Sequence, residues 1–394
     1  MMNFVFYITG LLLVLIVGLI VSVDRRKIRY KPIVIMLITQ LVLTFILLNT
    51  KVGVVSIGFV SALFSKLVDL GVTGVNFVFG GLENEGEYVF FLNVLLPIVF
   101  ISVLIGILNQ FKILPFIIKY VGIVLSKLNG MGKMENYIAV SSAVLGQSEV
   151  FLTIKDQMDD ISKRRLYTFC TSAMSAVSVA IVGAYMEIIE PQFVVVAIAL
   201  NIMSALIVAS IINPYELSEE EDTLTIESKK KLSFFQMISE SIMDGFKVAI
   251  IVAAMLIGFI ALMNGIDYLF EMLFNVSFQT ILGYIFAPIA FVMGVPWADS
   301  VQAGSIMATK LVTNEFVAML SFTEISAGLS TKAVGMISVF LVSFANFSSI
   351  GIITGAVKAL SSKQGDEVAR NGLKLLLGST LASVLSATVI GLFL

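Results

Sequence analysis

Histidine is absent from this chain of 394 residues, and Cys170 is its one cysteine. A disulfide cannot form within the chain, and there is no His/Cys ligand set for a metal. Without imidazole, proton chemistry near neutral pH falls to carboxylates. Charge is scarce too, at 13% of residues, against about 25% in soluble domains. The net charge of −2, with basic residues in short clusters, leaves no footprint for nucleic acid. Apolar side chains make up 58% of the chain, and mean hydropathy is +1.01. Such a composition excludes a soluble or a disordered protein and fits a polytopic membrane protein. A crossing takes about 20 apolar residues, so the chain can hold roughly eight to ten.

The first apolar stretch, 4–23, has no basic residue before it and a core too long for a signal peptide, so it reads as a retained span. Arg25, Arg26, Lys27, Arg29 and Lys31 follow at once and place that loop in the cytoplasm and the N-terminus outside. A second span covers 32–49. Residues 51–80 are glycine-rich and interrupted by Lys66 and Asp69, and they read as an interfacial amphipathic helix. Glu83, Glu85 and Glu87 form an outside loop before a third span at 88–108. Lys112, Lys119, Lys127 and Lys133 return the chain to the cytoplasm. Further spans fall at 167–186, 192–212, 245–264 and 375–394, with both termini outside.

Two regions do not read as simple crossings. In 134–162 the apolar pieces are too short to cross about 30 Å of hydrocarbon, and Gly146-Gln147-Ser148-Glu149 lies between them. In 281–328, Pro288, Pro296 and the run from Lys310 to Glu315 interrupt the apolar sequence. Both read as re-entrant hairpins with polar tips at membrane depth. The fold expected is an all-α polytopic membrane protein of about eight transmembrane helices plus two re-entrant hairpins in an inverted repeat. Residues 1–84 form N-terminal scaffold helices, 85–213 the first repeat, 214–240 a cytoplasmic loop and 241–394 the second repeat. Inverted repeats are the architecture of secondary transporters, with the solute near the bilayer midplane. A carboxylate there costs on the order of 2.5–3.5 kcal/mol, so Glu149 and Glu315 need partners, a proton or a water-filled cavity.

The motifs Gly294-Val295-Pro296-Trp297-Ala298-Asp299, Lys310 through Asn314-Glu315-Phe316-Val317-Ala318, Gly146-Gln147-Ser148-Glu149 and Phe344-Ala345-Asn346-Phe347-Ser348-Ser349 resemble those of the concentrative nucleoside transporter family. The resemblance covers about residues 90–394, and more loosely the first two spans. It implies a homotrimeric symporter in a bacterial cytoplasmic membrane, importing nucleosides with a cation and needing no cofactor. Carried over residue by residue, it puts the nucleobase against Gln147, Ser148, Glu149 and Ile181. The ribose falls to Glu315, Asn346 and Ser349, with Phe344 close by. Alternating access would then move hairpins and broken helices against a fixed scaffold.

Sodium-coupled members carry an asparagine where this chain has Ser142, and a serine where the nearest position is Ala176. Losing both ligand types should weaken a sodium site, and the Gly-Gln-Ser-Glu form of the tip resembles the proton-coupled bacterial branch of the family, so the resemblance implies protons as the coupling ion, with Glu315 or Glu149 as carrier. Sodium coupling, or a non-transporting nucleoside sensor on the same fold, is the alternative. For the glutamates the structural reading is helix capping, for Asn346 and Ser349 interhelical hydrogen bonding, and for Lys310 an ion pair or reach toward a polar region. Asp299 reads as a cap or anchor. An intramembrane protease is disfavoured because its zinc motif needs histidine and no paired midplane aspartates are in view.

Overall fold

The computed structural model describes residues 2–80, 89–217, 222 and 232–394, and among these the regular structure is helical, with no strand. The expected outside loop at Glu83, Glu85 and Glu87, and positions 218–221 and 223–231 of the expected cytoplasmic loop, lie outside the described residues. The chain opens with α1 (Met2–Ile20), α2 (Tyr30–Asn49) and α3 (Lys51–Phe79). Between the first two, Asp24 accepts from the Arg26 amide and holds Arg25–Lys27 in a tight turn. Helix α3 is a single helix of 29 residues, capped by Thr50 and long and apolar enough to cross a membrane. Lys66 and Asp69, which suggested an interruption, sit one turn apart on its exposed side.

A π-helical turn (Phe91–Leu95) leads into α4 (Ile98–Gln110), followed by α5 (Ile113–Asn129) and α6 (Lys133–Leu145). The chain continues through a 3-10 segment (Glu149–Asp160) kinked at Ile154, then α7 (Lys163–Ser175), α8 (Val179–Ile188) and α9 (Pro191–Ile212). The second half repeats this order. It runs α10 (Phe234–Phe274), α11 (Phe278–Met293), α12 (Ser300–Val312), α13 (Glu315–Ser326), α14 (Thr331–Leu341), α15 (Phe347–Leu360), α16 (Ser362–Arg370) and α17 (Gly372–Ile390). Short polar side chains set many of the starts: Ser162, Ser178, Ser330, Asn314 and Asn346 each accept a backbone N–H of the helix they precede. Ser233 and Gln236 form a capping box at α10, and Asn275 in the left-handed conformation ends it.

Two details differ from the sequence reading. The region 281–328 is three helices: α11 packs against α12, and the hairpin itself is α12–α13 with its turn at Thr313 and Asn314. The fourth span, read at 167–186, is split at 176–178 into α7 and α8, and its counterpart in the second repeat, the seventh span, is split at 342–346 into α14 and α15. Helices α7, α8, α9 and α17 are mostly buried, whereas α1, α2, α3 and α10 turn apolar faces outward. An inner bundle therefore sits behind outer helices whose exposed faces suit lipid.

Breaks in the inner helices free backbone groups that lipid cannot solvate. Asn201 on α9 donates to the Val342 carbonyl at 2.5 Å, and Ser386 on α17 donates to Asn201 Oδ1 at 2.6 Å. Ser204 stands 2.9 Å from Ser386 and accepts from Gln40 on α2 at 2.7 Å. At the base of the first hairpin, Arg165 pairs with the buried Glu135 at 2.6 Å, and Tyr215 donates to the same carboxylate at 2.8 Å. Gln364 on α16 donates to the carbonyls of Met158 and Ile161, and Lys163 bridges Glu367 at 2.7 Å. These contacts fasten the return of the first hairpin to the second repeat.

Two predictions follow from this packing. A Cβ at Gly304 would lie 2.6 Å from the Gly283 carbonyl oxygen and 2.8 Å from the Ala287 nitrogen, so α11 and α12 meet backbone to backbone. Gly304→Ala is expected to force them apart at a cost of about 1–3 kcal/mol, read as a lowered melting midpoint in detergent. The Lys163 ammonium holds the Glu367 carboxyl below its ordinary value. A depressed carboxyl contributes stability above its unfolded value and loses it as pH falls through the folded one. Melting midpoints taken from neutral pH to below about pH 4 should therefore fall less steeply in Glu367→Gln than in the wild type.

Candidate functional site

The first hairpin tip follows α6. Gly146 has φ +104°, a conformation open to glycine, and a Cβ there would stand 2.9 Å from Glu149 Oε2 and 3.3 Å from Ser178 Cβ. The tip therefore nests against the break of the fourth span. Gln147 is buried and its Oε1 has no hydrogen-bond partner; Ser148 is half-buried and Glu149 exposed. Ile181, in the first turn of α8, is buried.

The second tip is built differently. Glu315 begins α13 and is only 5% exposed. Its Oε1 accepts from Tyr185 Oη at 3.0 Å and its Oε2 from Asn346 Nδ2 at 3.0 Å. Asn346 is itself held, because its Oδ1 accepts from the Ser349 amide at 2.9 Å and the Ser348 hydroxyl at 2.7 Å. One side chain thus caps α15 and reaches the carboxylate. Ser349 is buried, and its Oγ has no partner. Phe344 is half-buried, and its amide donates to the Ala176 carbonyl at 3.2 Å, joining the breaks of the two split spans.

The structure thus gathers Glu315 and Asn346 into one constellation, and the Phe344–Ala176 bond ties it to the fourth-span break on which the first tip packs. The two glutamates do not share an environment: Glu315 lies under α8, while Glu149 stands at an open tip. Sequence reasoning missed Tyr185, which is fully buried and packs edge-on against Phe316 with ring centroids 4.9 Å apart. Its signal was available, since it lies one helical turn beyond Ile181 on the same face. Lys310 makes no carboxylate pair among the described contacts. Its ammonium donates to the Phe340 carbonyl and to Ser343 Oγ at 2.6 Å, and lies 4.5 Å from the Phe340 ring. It neutralises the carbonyl end of α14 at the break. Asp299 accepts from the Ser330 amide and hydroxyl and so anchors the start of α14.

Of the two positions expected from the resemblance to be vestigial for sodium, Ser142 donates its hydroxyl to the Ile138 carbonyl at 2.7 Å, and Ala176 has no side-chain oxygen. Chemically, the constellation offers a buried carboxylate with an acceptor site beyond Tyr185, Asn346 and its own amide, and the unpartnered Ser349 Oγ, while Gln147 Oε1 is unpartnered at the first tip. A buried polar atom left unpaired costs about 1–3 kcal/mol, which a hydroxyl- and amide-bearing solute or water would relieve.

Three family models tile the chain. Residues 193–391 match the model described as Na+ dependent nucleoside transporter C-terminus, residues 9–82 its N-terminus counterpart, and 91–192 a nucleoside recognition model. The purine nucleoside transport protein NupG of Bacillus subtilis is 35% identical over 395 residues, with 100% of each chain covered. The chain belongs to the concentrative nucleoside transporter family. The putative nucleoside permease NupX of Escherichia coli is 30% identical, with 98% of each chain covered. Among solved structures of this concentrative nucleoside transporter fold, CNTnw in an inward-facing substrate-bound state has a TM-score of 0.94 at 27% identity, with 100% of both chains covered. A CNTnw variant in an outward-facing state also has a TM-score of 0.94, with 100% of this chain and 98% of that one covered.

Asn346→Ala removes the α15 cap and leaves Glu315 Oε2 without its donor. The expected cost is about 1–2 kcal/mol from the cap alone, visible as a lower melting midpoint.

Proposed function

We propose that this protein imports nucleosides across a bacterial cytoplasmic membrane by proton symport, as a homotrimer with both termini outside. The observation that carries this reading is the buried Glu315, held on both oxygens by Tyr185 and Asn346; Ser349, at the start of the same α15, and Gln147, on the first tip, each keep an unpartnered polar atom. In this reading Glu315, Asn346 and Ser349 take the ribose, with Phe344 against the sugar. Gln147, Ser148 and Glu149 take the base, packed on Ile181. A carboxylate accepts from sugar hydroxyls, and Gln with Glu can answer both donors and acceptors on a base edge. The two hairpins enter the membrane from opposite sides and leave their polar tips at its midplane, where irregular backbone is tolerated because it lines a cavity. The name of the Bacillus subtilis relative supports purine nucleosides as the first substrates to test.

Proton coupling is supported by the residues at the two sodium-type positions: Ser142 puts a shorter hydroxyl where the family resemblance expects an asparagine amide, and Ala176 has no side-chain oxygen to give. Glu315 and Glu149 are the two carriers available, since a protonated carboxyl crosses the bilayer at lower cost than a charged one. Sodium coupling is the second reading, favoured by the description of the matching family models.

The deciding measurement is uptake of radiolabelled adenosine and uridine into proteoliposomes under an imposed pH gradient, with and without sodium. Accumulation driven by an inward proton gradient without sodium is expected; strict sodium dependence with no response to pH overturns the coupling assignment. Glu315→Gln is expected to weaken nucleoside affinity about 10–100-fold, from the loss of charge-assisted hydrogen bonds. The carrier is the glutamate whose Gln variant still exchanges substrate but no longer accumulates it against the proton gradient.

A further inference from the structure

We infer that Tyr185 is a positioning residue that fixes the Glu315 carboxylate for recognition of sugar hydroxyls, and so sets the discrimination between ribonucleosides and their deoxy counterparts. The inference rests on the reading that Glu315 meets the ribose.

Tyr185 belongs to the first repeat and Glu315 to the second, yet the phenol donates directly to Oε1 at 3.0 Å. The ring is fully buried, and the edge-on Phe316, next to Glu315 in the chain, packs against it. The hydroxyl therefore has little freedom to leave. The terminal torsion of a glutamate is broad, so one hydrogen bond would leave the carboxylate plane free to turn. Here Asn346 holds the other oxygen at 3.0 Å, and Asn346 is locked by its own capping bonds. Two donors from two different elements fix the plane. A carboxylate has about four acceptor sites, and Tyr185, Asn346 and the residue's own amide take three, so the lock leaves room for a sugar hydroxyl. Lys310, the charged group one turn before the tip, is engaged with the Phe340 carbonyl and Ser343 and does not compete for this role. Preorganisation of this kind adds selectivity without any contact between Tyr185 and the solute.

The test is equilibrium binding of uridine and adenosine against their 2′,3′-dideoxy counterparts, using purified protein in detergent. Wild type should prefer the ribonucleoside by about 10–100-fold, the weight of hydrogen bonds to a charged group. Tyr185→Phe should lower that ratio by about 5–10-fold while the protein still accumulates in the membrane. Phe316→Leu, which loosens the packing that holds the phenol but keeps the hydroxyl, should lower the ratio by less than Tyr185→Phe does. A purely structural role for Tyr185 would weaken both ligands alike and hold the ratio at its wild-type value, and that result overturns the inference. So does a rise in the ratio.

A second measurement does not depend on the Phe variant folding. With 3-fluorotyrosine placed at position 185 alone, the fluorine resonance should move on adding uridine and stay in place with dideoxyuridine. Equal responses to both overturn the inference. Glu315→Gln separates the two levels. If that variant keeps the wild-type ratio, the ribose reading fails and the role of Tyr185 fails with it. If it abolishes the ratio and Tyr185→Phe does not lower it, only the inference about Tyr185 is lost.

Discussion

A carboxylate buried among apolar helices has to be satisfied from several directions at once, and much of the second repeat is arranged around doing so for Glu315. Its two oxygens are met by Tyr185 and Asn346. Each of those donors is fixed by something else: Tyr185 by burial against Phe316, Asn346 by capping α15. A partly satisfied network of this kind is worse than an apolar core, because the interior penalises every unmade bond. The breaks in the fourth and seventh spans are therefore more than gaps in helices. They bring α8, α13 and the start of α15 close enough for three side chains from three elements to converge.

The same constraint governs the backbone. Splitting a helix in lipid exposes carbonyls and amides that water cannot reach, and each break is answered locally. Val342 gives its carbonyl to Asn201, Phe340 gives its carbonyl to Lys310, and the Phe344 amide finds the Ala176 carbonyl in the opposite repeat. Lys310 shows how a charged side chain can serve structure inside a membrane protein: its ammonium lies at the carbonyl end of α14, where the helix dipole is negative. These answers reach outward through Ser386 and Ser204 to Gln40, so the polar interior continues from the site to an outer helix.

The site divides along the line of burial. Glu315 is enclosed while Glu149 is open, although both stand at matching places in the two repeats. Matching sequence positions in an inverted repeat need not become matching environments, because the neighbours differ: α8 covers Glu315, whereas Glu149 lies over a glycine. In the proposed function this asymmetry gives one fixed acceptor for a sugar and one adaptable acidic group near the base.

The all-helical membrane character, the two polar tips and the order of the halves could be read from composition, charge and apolar length, since these depend on solvation of the chain segment by segment. The family followed from short motifs whose residues stay adjacent in the chain. Tertiary structure alone decided that 281–328 is three helices, that α3 runs unbroken, and that Lys310 serves a helix end. It also decided that Tyr185, 130 positions from Glu315, is its partner. No local pattern carries that pairing. It exists because the split fourth span directs its second half across the other repeat, and hydrogen bonds between remote segments are fixed only when packing has set both ends.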